Sequence, residues 1–430
     1  MTWVSIRLHR LIESAVGGVW GDEPGTGDMD VKCVRAADFD YAHLTVHPRN
    51  LPTRSVSKKD LSTRRLRKGD LVLEKSGGGE LQPVGRVVHW DLNETAVTSN
   101  FAARIRPASG TSGRFLAYLM ASLYGTGTTK KSVKQTTGIQ NLDLANYLDE
   151  RVAVPKEVEQ RAIADFLDAE TARIDALIAK KRRMIELLLS RRTVTTIYSV
   201  SGKLNSTDMM APSSLPWLEE LSAAWDEVLL RLVARLGSGH TPSRNHPEWW
   251  LDCAIPWITT GEVQALRSDR VEYIEQTREM ISEIGLANSA AELHSEDTVV
   301  LCRTASAGYS GIMSSAMATS QDFATWTCGP LLRPRFLLLC LRAMREDLLG
   351  RLAMGSTHKT IYMPDIRSIR IPLPSMEEQD RVVEAAWGEL ARIDKAMTFL
   401  ERQIVLLRER RQALITAAVT GEIGVPGVRK

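Results

Sequence analysis

The sequence predicts an α+β protein built twice: two β-rich globular regions separated by two long helices that pair as an antiparallel coiled coil, with internal pseudo-two-fold symmetry. Three observations predict it. Pro155–Gly202 and Pro374–Gly421 align without a gap, matching Glu159-Gln160 to Glu378-Gln379, Ala172-Arg173-Ile174-Asp175 to Ala391-Arg392-Ile393-Asp394, and Arg191-Arg192 to Arg410-Arg411. Both segments carry apolar residues at helical spacing and begin just after a proline. The regions before them are short apolar runs broken by Gly and polar turns.

The segments fall at 1–150 for the first globular region, 151–204 for the first helical spacer and 205–224 for a linker. The second globular region is 225–372, the second helical spacer 373–424 and the tail 425–430. Ile163, Leu167, Ile174, Leu177, Met184 and Leu188 give a 4-3 seam in the first helix, and Val382, Ala386, Ile393, Ala396, Leu400 and Leu407 give its copy. Glu170, Glu389, Lys181, Gln403, Arg191 and Arg410 interrupt that seam, either as register control or because part of each rod faces another protein. Gly202 and Gly421 suit the helix ends. A helix of about 45 residues at ~1.5 Å each is roughly 65–70 Å long.

The globular regions share a weaker frame. Trp3 aligns with Trp225, Val31–Val34 with Ile255–Ile258, and Gly69–Leu73 with Glu296–Val300. Thr98-Ser99 aligns with Thr319-Ser320, and Arg114-Phe115-Leu116 with Arg335-Phe336-Leu337. Short helices are expected over about Phe115–Tyr124 and Phe336–Leu349.

Composition narrows the function classes. The 430 residues are 43% hydrophobic and 25% charged, ordinary values for a globular protein, and a net charge of +3 leaves only local clustering informative. Five scattered cysteines without a CxxC argue against a disulfide framework or cysteine-rich zinc site and suit a cytoplasmic protein. No segment reads as a membrane span. There is no G-x-x-x-x-G-K-[ST] phosphate loop and no Asn/Asp-Pro-Pro-aromatic tetrapeptide for an adenine methyltransferase. Ser76-Gly77-Gly78-Gly79 leads to no helix and reads as a tight turn; His43 and His47 are separated from any helix by Pro48. No catalytic or metal site is expected.

Basic clusters favour nucleic acid. Between Arg49 and Lys75 nine Lys and Arg side chains, among them Arg64, Arg65, Lys68 and Lys75, outnumber Asp60, Asp70 and Glu74. Thr126–Gln140 offers Lys130, Lys131, Lys134, Gln135 and Gln140 with no acid, and Gly355–Thr360 (Ser356, Thr357, His358, Lys359) occupies the matching place before the second helix. Lys and Gln can read base edges, whereas Ser and Thr suit phosphates. Ser238–Arg244, with His240, Thr241 and Arg244, and Arg303–Ser310, with Arg303 and Thr304, complete the candidates. Lys180–Arg183 reads as an exposed helix face.

The duplicated Pro155-x-x-x-Glu159-Gln160 and Pro374-x-x-x-Glu378-Gln379, the Ala-Arg-Ile-Asp runs, Gly239-x-Thr241-Pro242, Ile255-Pro256-Trp257, Gly355-Ser356-Thr357-x-Lys359 and the terminal Leu414–Gly421 resemble the specificity subunits of type I restriction–modification systems. The resemblance implies two target-recognition domains, each reading half of a bipartite double-stranded DNA site. It implies helices that set the spacer and dock two methyltransferase subunits, with Glu159, Gln160, Arg173, Asp175, Glu378, Gln379, Arg392 and Asp394 as candidates for docking or helix pairing. S-adenosylmethionine would lie on those partners, ATP and magnesium on restriction subunits, and no cofactor on this chain. The first region lacks the Gly-x-Thr-Pro and Ile-Pro-Trp signatures, having Gly17-Gly18-Val19-Trp20 and Val31–Val34 there, which implies a different recognition subtype. A stand-alone DNA-modifying enzyme and a coiled-coil adaptor are the rival readings.

Overall fold

A computed structural model describes residues 3–80, 82–135, 138–204, 209–354 and 359–428. The chain divides into two compact units: residues 1–182 with 401–430, and residues 183–400. The two long helices, Glu157–Ser201 and Met376–Thr420, are each 45 residues long, and each contributes one part to each unit. They form no third body, because their inward faces complete the cores of the units. Ile163, Leu167, Ile415 and Ala418 are buried with Phe115 and Tyr118 in unit 1, and Val382, Ala386 and Leu390 with Phe336 and Trp326 in unit 2.

Within each unit the helix segments pair antiparallel. In unit 1 Asp175 accepts from Arg411 Nε at 3.3 Å and Lys181 meets Gln403. In unit 2 Arg192 Nε donates to Asp394 at 3.1 Å and Arg191 meets Glu389. Asp175–Arg411 and Asp394–Arg192 are the same pair twice, one in each unit.

The seam itself needs correction. The residues facing inward on the first helix are Leu167, Thr171, Ile174, Ile178, Lys181, Ile185, Leu188, Arg192, Thr195 and Ser199, an unbroken 4-3 repeat. Leu177 and Met184, expected on the seam, are exposed, as is Ala396. Thr171, Lys181 and Arg192 are polar seam positions, so a search for apolar residues alone slips sideways onto Leu177 and Met184. In the second helix Met397 and Ile404 hold the places matching Ile178 and Ile185, and both are buried.

Unit 1 has a six-stranded sheet in the order Ile12–Gly17, Ala102–Pro107, Leu71–Glu74, Val87–His89, Thr45–Val46, Phe39–Asp40. Unit 2 has the five-stranded version: Ala234–Ser238, Phe323–Cys328, Val299–Cys302, Ser310–Met313, Tyr273–Ile274. A three-stranded sheet accompanies each: Ala96–Thr98, Met29–Val34, Thr53–Val56 in unit 1, and Glu279–Ile281, Ile255–Ile258, Ala318–Thr319 in unit 2. A strand pair joins the start and end of each globular region, Val4–Arg7 with Arg151–Val154 and Asp226–Leu229 with Arg370–Leu373.

Strand registers fix how the copies correspond. Leu71 lies opposite Ile105 and Val299 opposite Trp326, so Asp70 corresponds to Thr298, one residue from the Asp70–Asp297 match that the sequence invites. Gly69 (φ 97°) and Asp297 (φ 64°) are then equivalent, both in the left-handed turn that Gly and Asp tolerate. A one-residue slip matters because it moves every side chain of a strand to the other face.

The short helices are Gly113–Gly125, capped by Ser112 Oγ accepting from Phe115 N–H at 3.3 Å, and Pro334–Ala343. Gln160 and Gln379 pin the long helices to them. Gln160 Oε1 accepts from Ser112 N–H at 3.0 Å and its Nε2 donates to Pro155 O at 3.0 Å. Gln379 accepts from Arg333 N–H at 2.8 Å and donates to Leu331 and Pro374 carbonyls at 2.9 and 3.0 Å. Both amides are buried, so these two residues neither face a partner nor join the long helices to each other; they fasten each helix start to its own unit. Each helix end abuts a tryptophan: Gly202 (φ 82°) lies against Trp225 and Gly421 (φ 77°) against Trp3, where a β-carbon would be both strained and crowded.

Candidate nucleic-acid interface

Unit 2 brings two of the expected segments together, Ser238–Arg244 and Arg303–Ser310. The approach begins at Gly239, where a β-carbon would lie 1.9 Å from Thr319 O, so only glycine permits the next bond, His240 N–H to Thr319 O at 3.0 Å. Thr241 Oγ1 donates to Gln321 Oε1 at 2.6 Å. Arg303 Nε donates to Gln321 O at 2.9 Å, and Thr304 Oγ1 bonds Asp322. Ile361 N–H donates to Arg303 O at 2.8 Å, which ties in the strand Thr360–Ile361. Ser356, Thr357 and His358 lie outside the described residues. Lys359 is exposed and donates to Leu349 O at 2.9 Å. Arg244 takes a different place: it stacks 3.8 Å over Trp250 and pairs with Glu279 at 2.8 Å.

Unit 1 repeats the arrangement with other side chains. Gly18 occupies the Gly239 position, with a notional β-carbon 2.1 Å from Ser99 O, and Val19 N–H bonds Thr98 O at 2.8 Å. Lys75 is the counterpart of Arg303: its N–H bonds Phe101 O at 2.8 Å as Arg303 N–H bonds Asp322 O at 2.8 Å, and its carbonyl accepts from Leu142 N–H at 2.8 Å as that of Arg303 accepts from Ile361. The missing Gly-x-Thr-Pro signature therefore changes side chains and leaves this backbone crossing intact. Val133–Gln135 and Gln140–Leu142 form a hairpin that pairs with Ser76–Gly77, placing Lys134, Gln135 and Asn141 beside Lys75. Lys134 is ion-paired with Asp143 at 2.7 Å but 72% exposed, a pair worth little in water. Lys130 and Lys131 are exposed on the preceding turn. Gln140 is buried and accepts from Val84 N–H at 3.2 Å, so it braces the loop.

Arg64, Arg65 and Lys68 lie along the other side of the strand Ile12–Gly17. Arg64 pairs with Asp60 at 2.6 Å and donates to Gly17 O at 3.1 Å, while Arg65 and Lys68 line a cleft of about 690 Å³. On the helices Arg173 and Arg392 are exposed and pair with Glu170 and Glu389 one turn back, and Glu378 pairs with Arg381. Glu159 accepts from Lys156 N–H at 3.2 Å at the helix start.

Gln321, Asp322, Phe101 and Asn141 were not expected. Nothing in their spacing marks them; they become visible only when strand register sets them against Arg303 and Lys75. What the paired sites offer is donors and acceptors on short loops held by a rigid sheet, with a half-buried cation, Lys75 or Arg303, at the centre of each. No group of three or more His, Cys, Asp or Glu placed to hold a metal occurs among the described residues, and none of their helices is long and apolar enough to cross a membrane.

Residues 223–402 match the family model described as type I restriction modification DNA specificity domain. Related proteins include the type I restriction enzyme MjaIX specificity subunit of Methanocaldococcus jannaschii, 26% identical over 37% of this chain and 36% of that one. The EcoBI specificity subunit of Escherichia coli is 20% identical over 66% of this chain and 61% of that one. The chain thus spans about a third to three-fifths of the length of these curated relatives. Among solved structures, one from a study of complex assembly and conformational transition of a type I R-M system aligns with TM-score 0.70 and 17% identity over 98% of both chains. The HsdS subunit from Thermoanaerobacter tengcongensis aligns with TM-score 0.53 and 17% identity over 98% of this chain and 97% of that one. Residues 223–402 are thus similar to the type I restriction modification DNA specificity domain, and the chain shares the fold of the HsdS subunit from Thermoanaerobacter tengcongensis.

Proposed function

We propose that this chain is the non-catalytic DNA-recognition subunit of a type I restriction–modification complex, with each unit reading one half of a bipartite site. The observation that carries the proposal is the repetition of one backbone crossing, at Gly18 and Gly239, with different side chains displayed around it. One scaffold with two sets of donors and acceptors is what reading two unlike half-sequences requires. The matched helices set the spacer between half-sites, and their exposed positions, including Arg173 and Arg392, dock two methyltransferase subunits. Those subunits hold S-adenosylmethionine; restriction subunits, where present, hold ATP and magnesium.

The test is a pair of substitutions read against single-base changes in each half-site. Arg303→Ala is expected to weaken or relax recognition of one half by about 1–3 kcal/mol, and Lys75→Ala to do the same for the other half. Methylation rates by the complete complex on a panel of duplexes measure both. If the two substitutions alter the same half-site, or if neither alters any, the assignment of one reader to each half is wrong.

A further inference from the structure

Arg104 lies inside the six-stranded sheet of unit 1, between Val16 and Val72 on the neighbouring strands, and is 5% exposed. Its Nη1 donates to Arg65 O at 3.3 Å and its Nη2 to Ser14 Oγ at 3.1 Å, while its buried Nε has no hydrogen-bond partner among the described residues. A buried guanidinium without a bonded carboxylate is costly. The acid beside it, Asp70, is taken by a two-pronged bond from Arg106 at 2.9 and 2.7 Å. Burial first, and repulsion from Arg106 second, lower the pKa of Arg104, with Asp70 and the exposed Glu13 opposing them. The cleft over it is lined further by Lys58, Arg65, Arg67 and Lys68, with Glu94 as the one acid in that lining.

Unit 2 shows what the scaffold does when no charge is wanted. By strand register Asp70, Arg104 and Arg106 correspond to Thr298, Thr325 and Thr327. Thr298 and Thr327 hydroxyls are 3.3 Å apart where Asp70 and Arg106 pair, and Thr325 faces His294 at 3.5 Å. Leu66 N–H bonds Ala96 O at 2.8 Å as His294 N–H bonds Met317 O at 2.8 Å, so Glu296 stands where unit 1 has Lys68. The sheet therefore closes with neutral hydroxyls, and the fold does not require Arg104.

We propose that this cleft of unit 1 is a phosphate site for the DNA backbone, with Arg104 as its buried anchor and Arg67 and Lys68 as its exposed flank. It rests on the DNA-recognition reading and adds a contact unique to one half of the molecule. The edge strand Ile12–Gly17 connects it to the reader: Ser14 touches Arg104, and Gly17 O accepts from Arg64 with Lys75 Nζ close by.

The test uses the full chain assembled with its methyltransferase and a labelled duplex carrying its methylation site, with Kd measured across a salt series. Arg104→Thr and the exposed Lys68→Glu each install the residue that unit 2 has there. Each is expected to weaken binding about tenfold and to lower the magnitude of the salt slope by about one, with the methylated sequence unchanged. If Arg104→Thr fails to fold, Lys68→Glu carries the test. Affinity and slope unchanged in the folded variants would overturn the proposal. So would stabilisation of the wild type by inorganic phosphate, abolished by Arg104→Thr without any change in DNA binding, since that marks a free-anion site. A wild-type complex that retains no DNA would overturn the recognition reading itself, and this assignment with it.

Discussion

Asp269→Ala is expected to destabilise unit 2 by about 3–5 kcal/mol. Three guanidiniums converge on the Asp269 carboxylate. Arg345 bonds it in a fork, with one prong at 2.6 Å, while Arg342 lies 3.5 Å and Arg192 3.8 Å away. All three arginine side chains are less than a fifth exposed. Burial pushes the pKa of Arg342 down to about 10, and Asp269 works against that fall. Removing the carboxylate leaves buried positive charge unpaired, and Asp394 relieves only Arg192. Asp269 also has φ 55°, a conformation that Asn adopts more readily than Ala. Asp269→Asn should therefore keep the turn and lose only the charge, giving a smaller but clear loss in urea or thermal denaturation. An asparagine variant as stable as the wild type would show that the arginines are held by backbone carbonyls alone.

Unit 1 shows no such cluster among the described residues. The places of Arg342 and Arg345 are taken by Ala121 and Tyr124, which line a cavity of about 980 Å³ together with Arg411. The two units share a frame but stabilise it differently, which is why a change at Asp269 should act on unit 2.

The second large effect concerns length. Inserting four residues after Arg182 and four after Arg402 adds one helical turn, about 6 Å, to both paired helices. Four residues overshoot a full turn slightly and locally disturb the heptad, which coiled coils absorb by a small change in winding. The expected result is a methylation site whose two half-sequences are unchanged and whose spacer is longer by one to two base pairs, read by methylome sequencing. Insertion into one helix alone should break the match between copies and abolish modification. An unchanged spacer in the double insertion would show that helix length does not set it.

Much of this architecture is legible in the sequence, for identifiable reasons. The helix duplication is visible because neither copy carries an insertion relative to the other, so they stay aligned from Pro155 and Pro374 onward. The inward positions were harder to see, because Thr171, Lys181 and Arg192 sit where an apolar residue is sought. Gln160 and Gln379 look like docking residues from their recurrence, yet their role is internal: a buried amide that satisfies backbone groups recurs as faithfully as a contact residue.

The loop residues divide similarly. Thr241, Arg303 and Thr304 could be picked out as polar residues on glycine-bounded loops, and they do meet. Their partners Gln321 and Asp322 depend on strand register, and the Asp70–Thr298 correspondence depends on a one-residue choice that local identity decides wrongly. Arg104 reads from sequence as one more strand residue; its charge becomes conspicuous only beside Thr325.

The central claim is that each unit reads its own half of one DNA site. Exchanging residues 225–372 for the matching region of a relative with a different target, followed by methylome sequencing of cells carrying the complete system, tests it most directly. The account predicts a new site in which one half-sequence has changed while the other half and the spacer are retained. A site altered in both halves, or one unaltered in either, would contradict it.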